Sequence, residues 1–387
     1  MAKTKKSQAI PLSEPSDEPI LTGSALTREE EAYYMASGSK LMWWKFKKHK
    51  IALVALPILA LLYISAIFAE FVSPFPADMT FSEFWNCPPQ RIHIYCPEVG
   101  FTAPFVYGVK REVDLVAFTR TYVPDTSVRY PVKFFSRGAP FRLWGIIEAE
   151  TRLISSEGPM FLLGTDQLGR DMLSRIIVGS RISLSIGLVG VFFTFVFGMS
   201  LGAISGYAGG IVDNFIQRVI ELIMCIPAIP MWMALVASLP RDWSALQIYM
   251  GIVVIMSLIG WTGLARVVRG KILSTRDEDF ALAAKIAGAS NAYILRKHLL
   301  PTMTSYVIVS LTMSIPASII GETALSYLGL GLRAPVISWG VLMQSANNLP
   351  AIAGQPWLLL PIVWLVVTTL CFNFVGDGLR DAADPYK

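Results

Sequence analysis

Six apolar stretches, each about 20 residues long and almost free of charge, constrain this chain more than any other feature. They are residues 51–69, 182–205, 222–239, 245–265, 302–321 and 357–376. Within a bilayer every backbone N–H and C=O must be satisfied internally, so such stretches cross it as helices. The composition agrees, since 53% of the residues are hydrophobic and only 16% are charged. The sequence therefore predicts an all-α polytopic membrane protein with six transmembrane helices.

Several prolines lie within these spans or at their ends. They are Pro57, Pro227, Pro230, Pro316 and Pro361. Membrane helices tolerate proline better than soluble helices do, because neighbouring groups can satisfy the freed backbone. We therefore expect kinks in these helices and no breaks.

The distribution of basic residues predicts the orientation in the membrane. Four lysines, Lys45, Lys47, Lys48 and Lys50, precede the first span. The segment between spans four and five carries Arg266, Arg269, Lys271, Arg276, Lys285, Arg296 and Lys297. The next loops on either side offer only Arg241 and Arg333. Basic residues favour the cytoplasmic side, so we expect both termini there. This asymmetry also explains the net charge of +5 without any nucleic-acid partner.

The predicted domains follow from these spans. Residues 1–45 form a polar cytoplasmic tail, whose first 40 residues are rich in Ser, Pro and Glu and are expected to be disordered. Residues 46–72 form a retained transmembrane anchor, because the apolar run is longer than a signal peptide requires and starts too far from the N-terminus. Residues 73–163 form a periplasmic insertion, and residues 164–387 form the core with a cytoplasmic loop, 266–301.

The insertion is long enough to fold as a small subdomain. The stretch TRTYVPDTSVRYPVKFF (119–135) alternates polar and apolar residues, which is typical of strands, while a helix stays open for 143–153. Cys87 and Cys96 both lie in the exported loop, where they either form a disulfide or stay as two unpaired thiols.

Neither the other cysteines nor the histidines indicate a catalytic centre. Cys225 and Cys371 fall within spans and are interpreted as packing residues. His49, His93 and His298 are too scattered for a metal cluster, and phosphate-loop, zinc-protease and serine-hydrolase motifs are missing. The sequence therefore predicts no enzyme and no cofactor on this chain. Any energy for its work comes from another subunit or from a gradient.

Two carboxylates lie at the ends of spans. Glu221 stands three residues after Arg218, as in an ion pair on a helix face. Glu322 ends span five, and a buried carboxylate is often functional. Two interpretations stay open for Glu322: a role in a solute pathway, or a structural role with a backbone amide or Arg333 as partner.

The polar segment, residues 266–301, interrupts the apolar pattern. Thr275 to Glu278 fit a capping box, which predicts a helix from about Arg276. One face of that helix would then carry Phe280, Ala283, Ala284 and Ala287.

Gly288 is suited to end this helix. Ser290 can cap a second helix over 291–299, and Pro301 can open span five. A charged pair of helices hinged at a glycine is suited to pass force to a soluble partner. The alternative is an amphipathic loop that lies on lipid headgroups.

The polar segment also resembles a known sequence. Its Ala283-Ala284-x3-Gly288 pattern, followed by Ile294 and HLLP (298–301), is similar to the EAA loop of ABC importer permeases. Further motifs resemble the second permease subunit of the dipeptide/oligopeptide family. These are GTDQLGRDMLSRIIVGSRISLSIG (164–187), GYAGGIVD (206–213), GETALSYLGLGLRAPVISWG (321–340) and NFVGDGLRDAADP (373–385). The resemblance covers about 220 residues from Gly164 to Pro385, and also the N-terminal anchor.

The resemblance implies a type I ABC importer permease fold with an external insertion between helices 1 and 2. It implies a subunit of an ATP-driven importer in the bacterial inner membrane, which takes up peptides or similar small solutes from a periplasmic binding protein. The implied partners are a sister permease, two ATPase subunits that carry ATP and Mg, and membrane lipid. Related systems import oligosaccharides, opines or nickel complexes. A gradient-driven carrier or channel, and a non-transporting scaffold or receptor, are the other classes.

The residues expected to couple to the ATPase follow from the same resemblance. They are Asp279, Phe280, Ala283, Ala284, Ile286, Gly288 and Ala289. The chain departs from the family where Leu282 replaces the leading Glu of the loop, and Asp277, Glu278 or Asp279 are the acids that could substitute. The insertion is longer than the family pattern and could contact a binding protein or the sister permease.

Overall fold

The structure, a computed structural model, describes residues 38–96, 100–114, 119–240, 242–347 and 349–383. Arg241 and most of the predicted disordered tail lie outside the described residues.

The end of the predicted polar tail and the N-terminal anchor form three consecutive helices, so residues 38–40 are helical where disorder is expected. They are α1 (Gly38–Lys48), α2 (Lys50–Ile67) and α3 (Ala69–Val72). The break between α1 and α2 lies at His49, whose Nδ1 accepts a hydrogen bond from the Ala52 N–H at 3.1 Å. Pro57 lies inside α2 without interrupting it, as expected.

The core consists of long membrane helices joined by short ones. The long helices are α4 (Met172–Ala208), α7 (Ala245–Thr275), α10 (Thr304–Tyr327) and α13 (Pro361–Ala383). The short helices are α5 (Gly210–Met224), α6 (Ala228–Ala237), α8 (Asp279–Ile286), α9 (Asn291–Ile294), α11 (Trp339–Gln344) and α12 (Leu349–Gly354). Within the described residues, five helices are long and apolar enough to cross a membrane, or six if one bent pair forms a single span. The predicted polytopic helical fold is confirmed.

The third predicted span, 222–239, is wrong as a continuous helix. The chain bends by 87° between α5 and α6. Pro227 stands directly before α6, where its ring disfavours helical backbone at the preceding residue and it offers no N–H. A kink was expected at this proline, and the structure has a break. Pro316, in contrast, lies inside α10.

A row of glycines brings α4 and α7 into close contact. Gly198, Gly202 and Gly206 are four residues apart and so lie on one face of α4. A Cβ at Gly202 would lie 2.5 Å from the Ala265 carbonyl oxygen, and one at Gly206 would lie 2.8 Å from the Arg269 carbonyl oxygen. Only glycine permits this approach. Small residues of this spacing allow membrane helices to pack backbone to backbone.

The insertion is an antiparallel sheet outside the helical core. Its strands are β1 (His93–Cys96), β2 (Gly100–Asp114), β3 (Thr119–Leu143) and β4 (Ile147–Ser156), in that spatial order. The strand prediction for 119–135 is confirmed. The helical alternative for 143–153 is wrong, because Phe141 pairs with Ala149 across a hairpin. Phe75, Val106, Val132 and Met160 form the core under the sheet.

Both cysteines of the insertion are free thiols, so the structure has the unpaired alternative. Cys96 ends β1, whereas Cys87 lies in a loop where its N–H donates to Thr165 Oγ1 at 2.7 Å. Burial raises the pKa of the Cys87 thiol to about 12, which keeps it protonated and unreactive. In the membrane region Cys371 is buried as a packing residue, but Cys225 is exposed beside the break after α5.

The glycine row predicts a selective cost for a single methyl group. Gly202→Ala should lower stability by about 1–3 kcal/mol through overpacking against the Ala265 backbone. Gly263→Ala on α7 is the matched control, because a Cβ there meets no atom within 4 Å and the gain in helix propensity is the same. Thermal unfolding of the purified chain in detergent measures the difference. Equal melting temperatures for the two variants would contradict the close contact.

Candidate functional site

The polar segment begins on a helix that is too long for the membrane alone. α7 has 31 residues, so at about 1.5 Å per residue it is about 46 Å long. The hydrocarbon layer is only about 30 Å thick. The C-terminal turns of α7, which carry the start of the polar segment, therefore project beyond it.

An ion pair ties these turns to the α4–α5 junction. Arg269 donates from Nε to Asp213 Oδ1 at 2.5 Å and from Nη2 to Oδ2 at 2.6 Å. Asp213 also accepts from Ser205 Oγ at 2.5 Å, and Arg276 donates from Nη1 to the Gly206 carbonyl at 3.1 Å. Both partners of the pair are largely buried, with 29% and 15% of their side chains exposed. Residues 206–213 (GYAGGIVD) thus fix the C-terminal end of α7, where the polar segment begins.

The first short helix of the segment begins later than the capping box predicts. α7 continues through Thr275, whose hydroxyl donates back to the Lys271 carbonyl at 2.8 Å. The Arg276 N–H is still bonded to the Ile272 carbonyl, because Ile272 is fully buried and keeps this turn of α7 in place. The capping-box assignment is wrong, and α8 starts after Glu278 at its N-cap position.

α8 rests on a buried apolar layer that we call the base cluster. This cluster consists of Ala203, Leu264, Val268, Ile272, Ala281, Ile294, Leu299, Met303 and Val307. Ala281, which the sequence reasoning missed, is the α8 residue buried in it, and Ala284 packs partly against it. The predicted common face is therefore divided: Ala284 faces the protein, whereas Ala283 and Ala287 are exposed.

The part of the α8 surface that the base cluster leaves uncovered presents large apolar side chains to the surroundings, and we call it the outer face. Phe280 is 42% exposed, Leu282 is 41% exposed and Ile286 is 86% exposed. Leu282, which stands where the family loop has a Glu, thus adds to the apolar outer face. Three exposed acids, Asp277, Glu278 and Asp279, precede this surface in the chain.

Gly288 ends α8 with the geometry that only glycine adopts easily. Its φ is +82°, in the left-handed region. The Gly288 N–H donates to the Lys285 carbonyl and the Ala289 N–H to the Ala284 carbonyl, both at 3.0 Å. This pair of hydrogen bonds is a Schellman motif. The predicted helix end is confirmed, and a Cβ at Gly288 would point into open space.

The second half of the segment returns the chain to the membrane. Ser290 caps α9 by accepting from the Tyr293 N–H at 3.3 Å, as predicted. α9 is shorter than the predicted helix over 291–299, since it passes into a π turn (Leu295–Leu299) and a 3-10 turn (Leu300–Met303) that contains Pro301. Ile294 and Leu299 are buried in the base cluster. Both halves of the segment therefore stand on the same support.

The second candidate residue, Glu322, lies at the opposite end of the core and is fully buried. Its Oε1 accepts hydrogen bonds from Ser326 Oγ at 2.8 Å and from Ser338 Oγ at 2.9 Å. The expected partner Arg333 instead donates to the Gly329 carbonyl at 3.1 Å. Ser338 is the N-cap residue of α11, so these bonds hold the start of α11 against α10.

The other titratable residues considered from the sequence are the Arg218–Glu221 pair and the three histidines. Arg218 and Glu221 form the predicted ion pair at 2.7 Å on an exposed face of α5. Among the residues that the structure describes, no group of three or more His, Cys, Asp or Glu side chains could hold a metal ion. His49, His93 and His298 lie at the α1–α2 break, in β1 and in the π turn respectively.

Breaking the Asp213–Arg269 pair should loosen residues 276–301. Asp213→Asn leaves a partly buried guanidinium without its counter-charge, at a cost of about 1–3 kcal/mol. Hydrogen exchange in residues 276–301 should therefore become faster. Glu221→Gln is the control, because the exposed pair with Arg218 is worth about 0–1 kcal/mol. If both variants leave exchange in 276–301 unchanged, Asp213 does not hold the segment.

Two family models match this chain. The family model described as binding-protein-dependent transport system inner membrane component matches residues 198–386, and that of the N-terminal TM domain of oligopeptide transport permease C matches residues 37–89.

Two relatives illustrate the extent of the similarity. The oligopeptide transport system permease protein OppC of Bacillus subtilis is 36% identical over 239 residues, which are 61% of this chain and 76% of that protein. The dipeptide transport system permease protein DppC of Lactococcus lactis subsp. cremoris is 33% identical over 344 residues, 89% of each chain. The solved MetNI methionine ABC transporter in an inward-facing conformation aligns over 55% of this chain and 97% of its own, with 19% identity and a TM-score of 0.44. The match to DppC over 89% of each chain shows that this chain belongs to the binding-protein-dependent inner-membrane transport components, as an ABC importer permease of the dipeptide and oligopeptide family.

Proposed function

We propose that this chain is the second permease subunit of an ATP-driven importer, and that the outer face of α8 receives the movement of a separate ATPase subunit. The observation that carries this proposal is the outer face itself. It exposes Phe280, Leu282 and Ile286 around a short helix that the base cluster holds through Ala281.

An apolar surface of this kind needs a partner. Each square ångström of apolar surface kept from water contributes about 25 cal/mol, so covering three large side chains is favourable. Lipid does not supply the cover, because the exposed acids Asp277, Glu278 and Asp279 beside the outer face are repelled by the anionic headgroups of the cytoplasmic leaflet. A groove on a soluble protein does, in the manner in which an amphipathic helix is bound by its apolar residues.

The support of α8 explains how a push on it would reach the membrane. Ala281 joins α8 to α7 and α4 through the base cluster, and the Arg269–Asp213 pair joins α7 to the α4–α5 junction. The glycine row leaves no gap between α4 and α7. A displacement of α8 therefore moves these helices together. Nucleotide and magnesium would be bound by the ATPase subunits and not by this chain.

The proposed solutes are peptides or similar small solutes delivered by a periplasmic binding protein. The support comes from the relatives, which are named as oligopeptide and dipeptide transport permeases. In this assembly a sister permease completes the pathway, both termini and the polar segment are cytoplasmic, and the insertion is periplasmic. Import of oligosaccharides, opines or nickel complexes by the same machinery is the competing outcome.

The function is tested by reconstitution. The chain is co-expressed with its neighbouring permease and ATPase subunits, purified through a tag and placed in liposomes with the binding protein and labelled peptides. Uptake that requires ATP and the binding protein supports the proposal. Uptake driven by an ion gradient without ATP, or purification without any ATPase, overturns it.

A charge on the outer face should weaken the proposed ATPase contact. Ile286→Asp places a carboxylate at the most exposed apolar position of α8, so we expect less ATPase to co-purify, by at least about tenfold if about 1.4 kcal/mol of binding is lost. Ile94→Asp is the matched control, because Ile94 is 56% exposed in the insertion, at the other end of the molecule. Unchanged ATPase recovery with Ile286→Asp would assign the contact to another surface.

A side chain at Gly288 should impair the coupling of transport to ATP hydrolysis without lowering the amount of protein in the membrane. Gly288→Asp points into open space but strains a left-handed residue by about 1–2 kcal/mol and adds a charge beside the outer face. We expect normal amounts of the protein in the membrane and fewer solutes imported per ATP hydrolysed. Gly354→Asp, also directed into open space, is the control. A normal transport ratio in the Gly288 variant would rule out coupling at this turn.

A further inference from the structure

The hairpin between β3 and β4 ends in an apolar turn that we call the tip, residues 143–147 with the sequence LWGII. Trp144 is 49% exposed, Ile146 is 81% exposed and Ile147 is 51% exposed. The tip carries no charge. The nearest charges are Arg142 and Glu148, which pair with each other at 2.8 Å directly behind it. A soluble loop rarely exposes this much apolar surface without a partner.

The position of the tip relative to the membrane follows from one hydrogen bond. The Trp144 indole N–H donates to the carbonyl of Ile67 at 2.8 Å. Ile67 is the last residue of α2, a membrane-spanning helix. The Trp144 ring also lies 5.7 Å from the Phe68 ring. The tip is therefore at the level where α2 leaves the hydrocarbon and enters the headgroups.

The tip continues an apolar surface that is exposed on α2. α2 exposes Leu61, Ile64 and Ile67, at 66%, 53% and 48%, on successive turns toward its end. A membrane helix exposes such a row to acyl chains. Phe68 extends the row and contacts Trp144. The apolar surface thus passes from α2 to the tip without a polar interruption at the point of contact.

The backbone holds the tip in an unfavourable conformation. Trp144 has a φ of +52° and Gly145 a φ of +74°, and the Ile146 N–H closes the turn onto the Leu143 carbonyl at 3.0 Å. Positive φ is rare for a bulky residue such as tryptophan. Phe135, also at a positive φ of +49°, contacts Phe71 just after α2. Trp144 and Phe135 are thus strained aromatic residues that contact the chain at the end of α2, and such strain often marks a functional position.

We propose that the tip is a membrane-interface anchor, which rests in the lipid headgroup layer beside α2 and fixes the insertion to the bilayer. Tryptophan is enriched at this level because its ring is apolar and its N–H is polar. Ile146 and Ile147 enter the boundary between headgroups and acyl chains, and the Arg142–Glu148 pair stays among the headgroups. The proposal concerns the lipid surface and does not depend on the transported solute or the ATPase.

The test measures the depth of the tip in a bilayer. Ile146→Cys is made in a Cys225→Ser background, since the other native cysteines are buried, and carries a nitroxide label. The labelled chain, with its partner subunits, is placed in nanodiscs of phosphatidylcholine and phosphatidylglycerol. Collision rates with molecular oxygen, which partitions into lipid, and with a neutral nickel chelate, which stays in water, are compared. Phe101→Cys is the control, as Phe101 is 83% exposed on β2.

We expect the ratio of oxygen to nickel collisions to be several-fold higher at position 146 than at position 101. Two results overturn the proposal. Equal ratios at the two positions would place the tip in water. Low collision rates with both reagents at position 146 would show that a protein surface, such as the sister permease, covers the tip in place of lipid.

Discussion

The close contact between α4 and α7 is the interaction on which the rest of the structure depends. Lipid is as apolar as the side chains, so membrane helices gain little from hydrophobic burial and depend on close packing and polar contacts. Gly198, Gly202 and Gly206 allow α7 to approach until its backbone touches α4. The base cluster begins at this contact with Ala203 and Leu264, and the polar segment is built on it. A looser crossing would leave α8 without a fixed support.

Charged groups secure both ends of α4 where it leaves the hydrocarbon. At one end Arg181 binds Glu70 through two bonds, at 2.7 and 2.6 Å, and thereby joins α4 to the segment after α2. At the other end Asp213 and Arg269 join the α4–α5 junction to α7. Charge at the membrane centre is costly, but near the headgroups a paired charge is tolerated. Packing therefore holds the middle of the helices, and ion pairs fix their ends.

The parts of the fold that depend on local pattern could be predicted from the sequence, and the parts that depend on tertiary contact could not. Apolar length located the long helices, and Gly288 and Ser290 identified the turn between α8 and α9, because these signals act over a few residues. The predicted helix start at the Thr275 capping box is wrong, because Ile272 is buried and keeps α7 helical through Thr275. The break at Pro227 was missed because composition does not distinguish a kinked span from a bent pair. Ala281 gave no signal at all, since an alanine that packs and one that is exposed look the same in sequence.

The two ends of the molecule are connected by one helical rod. α9, its π and 3-10 turns and α10 together form a continuous helical stretch, Asn291–Tyr327, of 37 residues. One end of this rod packs on the base cluster beside α8, and the other carries Glu322. The Glu322 carboxyl group accepts from the hydroxyl groups of Ser326 in the rod and of Ser338 at the start of α11, so it would lose one of these two hydrogen bonds if α11 moved away from the rod. Trp339 extends this connection, because its indole N–H donates to the Ile176 carbonyl of α4 at 3.2 Å, near the insertion. Two buried hydrogen bonds therefore join the far end of the rod to α11 and, through Trp339, to α4.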